Sequence, residues 1–219
     1  GPDHVFVVSA GLLGGTLAPS ASRFHCGAKS PLTGFIGSSN SGGHFAPELR
    51  FAGFDHIVVT GKSAKPVYLL VNDGEIEIRD ASDIWGHDAI ATQQMIRDEL
   101  NNQQVKSLCI GQAGENLVRF ANVRTGPKNA AGRTGMGAVM GSKKLKAIAA
   151  RGTLGVEIAY PEEALKLYKE KIQQVLRSKA TRAIQEYGTM VVFNTSNTAG
   201  QIRVRNFETN TLDHAEQLE

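Results

Sequence analysis

Short apolar runs broken by glycine and by clusters of small polar residues make up most of this chain. "HVFVVSA" (4–10), "FDHIVVTG" (54–61), "KPVYLLV" (65–71) and "EIEIRDA" (75–81) are short and rich in β-branched residues, which predicts strands. Asn72-Asp73-Gly74 between the last two predicts a hairpin. "VKSLCIG" (105–111), "NLVRFANVR" (116–124) and "LKAIAARG" (145–152) predict further strands. Helical spacing first shows in "DAIATQQMIRDEL" (88–100), where Ala89, Thr92, Ile96 and Leu100 share a face. It takes over after Gly152. Pro161, Glu162 and Glu163 make a helix start, and Leu165, Tyr168, Ile172, Val175 and Leu176 continue as a stripe. The pattern predicts an α+β chain, with a strand-rich domain over 1–155 and the beginning of a helical one over 156–219.

Glycine adds a second pattern. The chain holds 24, clustered at 11–15, 34–43 and 132–141, and two of these clusters head similar segments. "SNSGGHFAPELRFAGFDHIVVTG" passes from small polar residues through glycines and a short helix into a strand, and "KNAAGRTGMGAVMGSKKLKAIAARG" does the same. Two such units predict two Gly-rich edges able to grip a two-part, phosphate-bearing ligand. In "SSNSGGHF" (38–45), small residues at Asn40, Ser41, Gly42 and Gly43 leave backbone N–H groups open to an anion. A tight turn capped by Ser and Asn accounts for that stretch, taken alone, equally well. "GRTGMGAVMGSKK" (132–144) is neither a dinucleotide fingerprint nor a phosphate loop. Three residues separate Gly137 from Gly141, and Ser142 stands between Gly141 and Lys143. Its glycines still offer amides, with Arg133 as a charged partner for phosphate. Arg23, among the small residues of "APSASRFH", could reach a ligand with both guanidinium arms, or simply face solvent.

Composition narrows the function classes. A chain of 219 residues, 41% apolar and 21% charged, can bury a core, and no apolar run spans a membrane. A net charge of +3 without a basic run interleaved with aromatics gives no support for nucleic acid. Cys26 and Cys109 are too far apart for a C-x-x-C site or a disulfide framework, so a reducing cytoplasm fits. The histidines (4, 25, 44, 56, 87 and 214) show no i,i+4 pair for zinc. No nucleophile–base arrangement stands out. The residues describe a binding surface without a visible catalyst.

Taken together, "KSPLTG" (29–34), "SNSGGHFAPELRFAGFDHIVVTGKS" (39–63), "KPVYLLVNDGEIEIRDASDIWG" (65–86) and "AAGRTGMGAVMGSKKLKAIAARG" (130–152) resemble the N-terminal domain of the aldehyde:ferredoxin oxidoreductase family, tungsten or molybdenum bis-pterin enzymes. "EYGTM" (186–190) and "VRNFET" (204–209) are similar to the start of that family's helical domain. The resemblance implies two similar halves whose sheets form a saddle under two pterins. It implies that Asn40, through its side-chain oxygen, and Ala130, through its carbonyl, hold a Mg²⁺ bridging the pterin phosphates, a hard ion on hard oxygens. Gly42, Gly43, Gly132 and Arg133 would line the pterin and phosphate sites. Arg23 would lie between a pterin and a [4Fe-4S] cluster, and Asn129 stands where members of the family can carry an arginine. A strand-rich stretch normally precedes this point, and the cluster's C-x-x-C-x-x-x-C motif would follow "VRNF" outside this chain, which points to a fragment. The activity implied is oxidation of aldehydes to carboxylic acids, with ferredoxin or an equivalent subunit taking the electrons and self-association left open. The alternatives are the tungsten subunit of a benzoyl-CoA-type aromatic reductase and a non-catalytic cofactor-binding module.

Overall fold

The computed structural model describes residues 3–218, which divide into two compact units, Gly1–Pro161 and Glu162–Glu219. The first opens with β1 (Phe6–Ala10), β2 (Phe24–Lys29) and β3 (Ile36–Ser41), then α1 (Phe45–Phe51) and β4 (His56–Val59). β5 (Val67–Asn72), β6 (Glu75–Asp80) and α2 (Ala89–Glu99) follow. It closes with β7 (Lys106–Cys109), α3 (Gln112–Glu115), β8 (Val123–Thr125), β9 (Asn129–Ala131), α4 (Met136–Ser142) and β10 (Leu145–Arg151).

These strands form two sheets, ordered β3-β2-β1-β4 and β6-β5-β10-β7-β8-β9. The first is antiparallel throughout. In the second, β10 runs antiparallel to β7 but parallel to β5. Within both sheets one unit recurs. β1-β2-β3 is an antiparallel meander, and α1 then carries the chain back so that β4 lies beside β1. β7-β8-β9 is the same meander, and α4 returns β10 to lie beside β7. Each is a four-strand Greek key in spatial order 4-1-2-3. The second carries the β5–β6 hairpin as an addition on β10. Its turn, with Asp73 at φ 39° and Gly74 at φ 89°, has the positive angles that tight hairpins require.

The two crossover helices share one apolar layer. α1 packs on β1 of the first sheet and on β7 and β10 of the second, while α4 packs on β2 and on β10. Alternation decides which residues enter the layer. Phe6, Val8, Phe24, Cys26 and Ile57 come from one sheet, and Leu69, Val71, Leu108, Ile148 and Ala150 from the other. α1 contributes Phe45, Ala46 and Leu49; α4 contributes Met136, Val139 and Met140. Phe24 meets Phe45 edge to face, with ring centroids 5.8 Å apart, a geometry worth about 0.5–1.5 kcal/mol beyond burial. The opposite face of the second sheet, with Tyr68, Leu70, Cys109, Ala147 and Ala149, lies under α2 through Ala89 and Ile96. Asp88 caps α2, accepting from the Ile90 and Ala91 amides at 2.7 and 3.0 Å. β10 is thus buried on both faces.

One ionic contact is wholly interior. Lys146 on β10 is fully buried, pairs with the nearly buried Glu115 carboxylate and donates to the His87 carbonyl at 2.7 Å. Glu115 in turn accepts from the Gly86 amide at 3.0 Å. The second unit differs in kind. α5 (Pro161–Arg177), α6 (Lys179–Tyr187) and α7 (Phe193–Thr198) contain no buried residue, and Leu165, Val175 and Leu176 of the predicted stripe stay exposed.

Two sequence expectations need correcting. Asn40 and Ser41 lie inside β3, so "SSNSGG" is a strand that ends in glycines. Only 123–125 of the expected strand at 116–124 and its margin is extended. The stretch before it is irregular, with Leu117 at φ 58°. β2, β3 and β9 are strands that hydrophobic alternation did not predict.

Removing one partner of a buried pair leaves a charge without compensation, which costs about 3–5 kcal/mol. Urea unfolding of Lys146→Met should show a loss of that order. The double variant Lys146→Met/Glu115→Leu should lose less, and equal losses would show that the pair does not act as a unit.

Candidate cofactor-binding site

β3 and β9 are the outermost strands of their sheets, and they lie side by side. This brings the two Gly-rich segments, far apart in sequence, to one seam. Two hydrogen bonds stitch it. The Arg133 amide donates to Ser39 Oγ at 3.3 Å, and Ser30 Oγ donates to the Thr134 carbonyl at 2.8 Å. Along β3 the side chains alternate, with Gly37, Ser39 and Ser41 inward and Ile36, Ser38 and Asn40 outward. The inward positions are small because the other half presses on them. A methyl group added at Gly37 would fall 2.6 Å from Met136 Cε. That also explains why the strand was missed: its buried side carries glycine and serine in place of an apolar stripe.

The expected site residues take these places. Asn40 is exposed on β3, opposite His25 of β2. Arg23 is exposed just ahead of β2, at the end where β3 reaches Ser41 and Gly42. Ala130 sits half-buried on β9, opposite Arg124 of β8, and Asn129 opens that strand. Gly132 and Arg133 follow β9 and are exposed. Across the seam, a methyl group at Gly42 would first meet the Asn129 amide nitrogen at 3.6 Å, and one at Gly43 would meet Thr125 Cγ2 at 3.3 Å. Gly42, Gly43 and Asn129 are therefore neighbours, and Asn40 and Ala130 lie on adjoining strands. His25 was not singled out in the sequence. Its Nε2 lies 2.8 Å from Ser38 Oγ on the same outward face as Asn40, a placement visible only once the strands are paired.

The glycines of 132–141 divide into two kinds. Around Gly132 a Cβ would meet nothing within 4 Å. At Gly135, Gly137 and Gly141 it would collide with the carbonyls of Arg119, Asn122 and Gly114. Those three belong to the start and body of α4, and they let the helix lie directly on the 114–122 backbone. The expectation that the whole cluster presents amides to phosphate is corrected accordingly: Gly132 is open, and the rest is packing. Thr134, a β-branched residue at φ 67°, sits between the two kinds. Such a conformation is strained and persists only where its surroundings impose it; here the bond to Ser30 does so.

Neither cysteine has the chemistry of a ligand. Both are fully buried, and burial pushes each thiol up to about 12. Among the described residues no group of three or more His, Cys, Asp or Glu side chains could hold a metal.

Two measurements follow from this geometry. Gly141→Ala should destabilise the chain by about 1–3 kcal/mol or more through overpacking, whereas Gly132→Ala should stay within about 0.5 kcal/mol, both read by urea unfolding. At pH 8 the folded chain should resist iodoacetamide at Cys26 and Cys109, since thiols titrating at about 12 hold almost no thiolate there. Prompt labelling of either would contradict the packed core.

The family model for the aldehyde ferredoxin oxidoreductase N-terminal domain matches residues 1–152. A tungsten-containing aldehyde ferredoxin oxidoreductase of Pyrococcus furiosus is 46% identical over 215 residues, covering 98% of this chain and 36% of that protein. Its counterpart in Thermococcus kodakarensis is 45% identical over 216 residues, with the same coverage of both chains. A solved structure, the active-site complex BamBC of benzoyl coenzyme A reductase with 1,5-dienoyl-CoA, superposes with a TM-score of 0.77 at 42% identity. That match covers 80% of this chain and 26% of the other. The chain thus spans about a third of the length of the relatives it matches. With two repeated halves meeting at a Gly-rich seam and a family match over most of its length, the chain belongs to the aldehyde ferredoxin oxidoreductase family.

Proposed function

We propose that the seam between β3 and β9 binds a tungsten bis-pterin, as part of an oxidoreductase that converts aldehydes to carboxylic acids and passes the electrons to ferredoxin or an equivalent subunit. The observation that carries this reading is the meeting of two topologically equivalent edges, one from each Greek key, at a surface opened by Gly42, Gly43 and Gly132. A cofactor made of two similar halves suits a site made of two similar halves. The residues fit such a group. Gly42 leaves room up to the Asn129 amide, Gly132 is open, and Asn40 is exposed on the outward face of β3. When bound, the tungsten–pterin group supplies the redox chemistry, and the protein's part is to bind and orient it.

In this reading Asn40 would offer its amide oxygen and Ala130 its carbonyl to a magnesium ion held with the cofactor. Neither adds negative charge to a place already crowded with it. The Arg133 amide is already bonded to Ser39, which fixes the turn and leaves the exposed guanidinium as the group that meets phosphate. Arg23 stands at the same end of the sheet as Gly42, where a cation would face the anionic cofactor. Any iron–sulfur cluster in the same proposal would take its ligands from outside the described residues, since Cys26 and Cys109 are buried in the core. The second reading, a benzoyl-CoA-type aromatic reductase, draws on the structural likeness at 42% identity. The two share this domain and differ in the substrate pocket, so assays of the complete protein with an aldehyde and with an aromatic acyl-CoA separate them.

Replacing Asn40 with Leu keeps the side chain's size and removes its oxygen. In the complete enzyme it should cut tungsten and pterin content several-fold while leaving the unfolding midpoint nearly unchanged, because Asn40 is exposed. Metal analysis and pterin fluorescence of Asn40→Leu provide the check. Full occupancy in the variant would remove Asn40 from the site.

A further inference from the structure

Beside the seam lies a cavity of about 250 Å³ whose charged lining belongs to residues the family resemblance does not mark. It is bounded by α2, the start of β7, the β8–β9 turn and the residues leading into α1. Three cations face it: Arg97 from α2, Lys106 from β7 and Lys128 from the turn. No carboxylate lines it. Among the described residues, none of the three cations has an acidic partner within 4 Å. Arg97 is the most telling. One of its terminal nitrogens is spent on the Gln94 amide oxygen at 3.1 Å, but its Nε is shut off from solvent and has no hydrogen-bond partner. The Nε atoms of Arg50 and Arg124 are closed off in the same way, so a ligand in the cavity meets Arg97 through its terminal nitrogens.

The cavity is also held in shape. Gln93, on α2 one turn from Arg97, accepts from the Gly126 amide at 2.6 Å and donates to the Gly126 carbonyl at 3.4 Å and to the Ala89 carbonyl at 2.8 Å. These bonds tie the turn that carries Lys128 to the helix that carries Arg97. The backbone that carries Lys128 is thus fixed against the helix that carries Arg97 before any ligand arrives, which lowers the entropic cost of binding.

We propose that this cavity is an oxyanion site for the phosphate class, with Arg97, Lys106 and Lys128 as its charged ligands. Three uncompensated cations around a preformed space favour a dianion over a neutral molecule, and they repel metal cations. Size agrees, since a water takes about 30 Å³ and the cavity admits a phosphate with several waters. The phosphate can come from two sources: the terminal group of a cofactor lying across the seam, whose Gly43 and Asn129 also border the cavity, or a free phosphate from solution. The site itself does not depend on the pterin reading, because its three cations need no cofactor.

Inorganic phosphate is the probe. Calorimetric titration of the 219-residue chain, purified without cofactor and at constant ionic strength, should show one site that chloride does not fill. Arg97→Gln and Lys106→Gln should each weaken phosphate about tenfold or more, the scale of one charge-assisted hydrogen bond. Lys169→Gln, the same charge change on exposed α5, should leave it unaltered. Circular dichroism and the unfolding midpoint confirm that the variants fold. Cofactor-loaded protein from the complete gene tells the sources apart: loss of added phosphate assigns the cavity to the cofactor's own phosphate, and retention assigns it to free phosphate. Absence of phosphate binding to the cofactor-free chain, or binding unchanged in both Arg97→Gln and Lys106→Gln, overturns the site. Because no cofactor enters the first titration, its outcome is independent of whether the pterin reading stands.

Discussion

Everything in the first unit depends on one shared apolar layer. Two sheets and two crossover helices meet in one core, and the further cluster under α2 involves the second sheet alone. Phe45 and Leu49 of α1 and Met136 and Met140 of α4 fill a single space, and each helix touches both sheets. Burial of such side chains is worth about 1.5–3 kcal/mol each, and here it does more than stabilise. It fixes the distance between the sheets, and with it the approach of β3 to β9. A ligand site made from edges of different sheets has no other source of alignment, since the seam itself is joined by few hydrogen bonds. Substitutions in the layer far from the seam therefore act on the seam's geometry.

How much of this could be read from residues alone varied with the physical signal. β1, β4, β5, β7 and β10 were visible because most of their buried positions are apolar, β6 because Ile76 and Ile78 alternate with charged residues although both stay exposed, and α2 because Ala89, Thr92 and Ile96 recur at helical spacing. The kinship of the segments around Gly43 and Gly135 was visible as well. What stayed hidden was β2, with only Phe24 and Cys26 buried between small and polar residues, and β3 and β9, where the inward residues are Gly37, Ser39, Ser41 and Ala131. Hydrophobic alternation cannot announce a strand whose inner face is made of the smallest residues. The site residues stood out through motif and resemblance; what the residues alone could not supply was that Gly42, Gly43 and Asn129 are neighbours. That is a matter of tertiary contact, with no local code.

The second unit shows the opposite balance. Of its helices, α5 is legible from Pro161, Glu162, Glu163 and its apolar spacing, yet Leu165, Val175 and Leu176 remain exposed and no residue of α5, α6 or α7 is buried. An amphipathic pattern states which face a helix will bury and says nothing about the partner. In a chain spanning about a third of its relatives' length, an apolar stripe in this state is open surface.

The two kinds of glycine around α4 bear on how the family would record its own history. Gly135, Gly137 and Gly141 are held by steric need, because any side chain there collides with backbone. At Gly42 and Gly132 a side chain meets no such collision, so under the proposed function only the cofactor would hold them small. A descendant that gave up its cofactor would be released at the second pair and still bound at the first three. It would keep the part of "GRTGMGAVMG" that catches the eye while Gly42 and Gly132 drifted. Under the proposed function, those two positions, more than the conspicuous repeat beside them, would separate a working binding domain from an inherited scaffold.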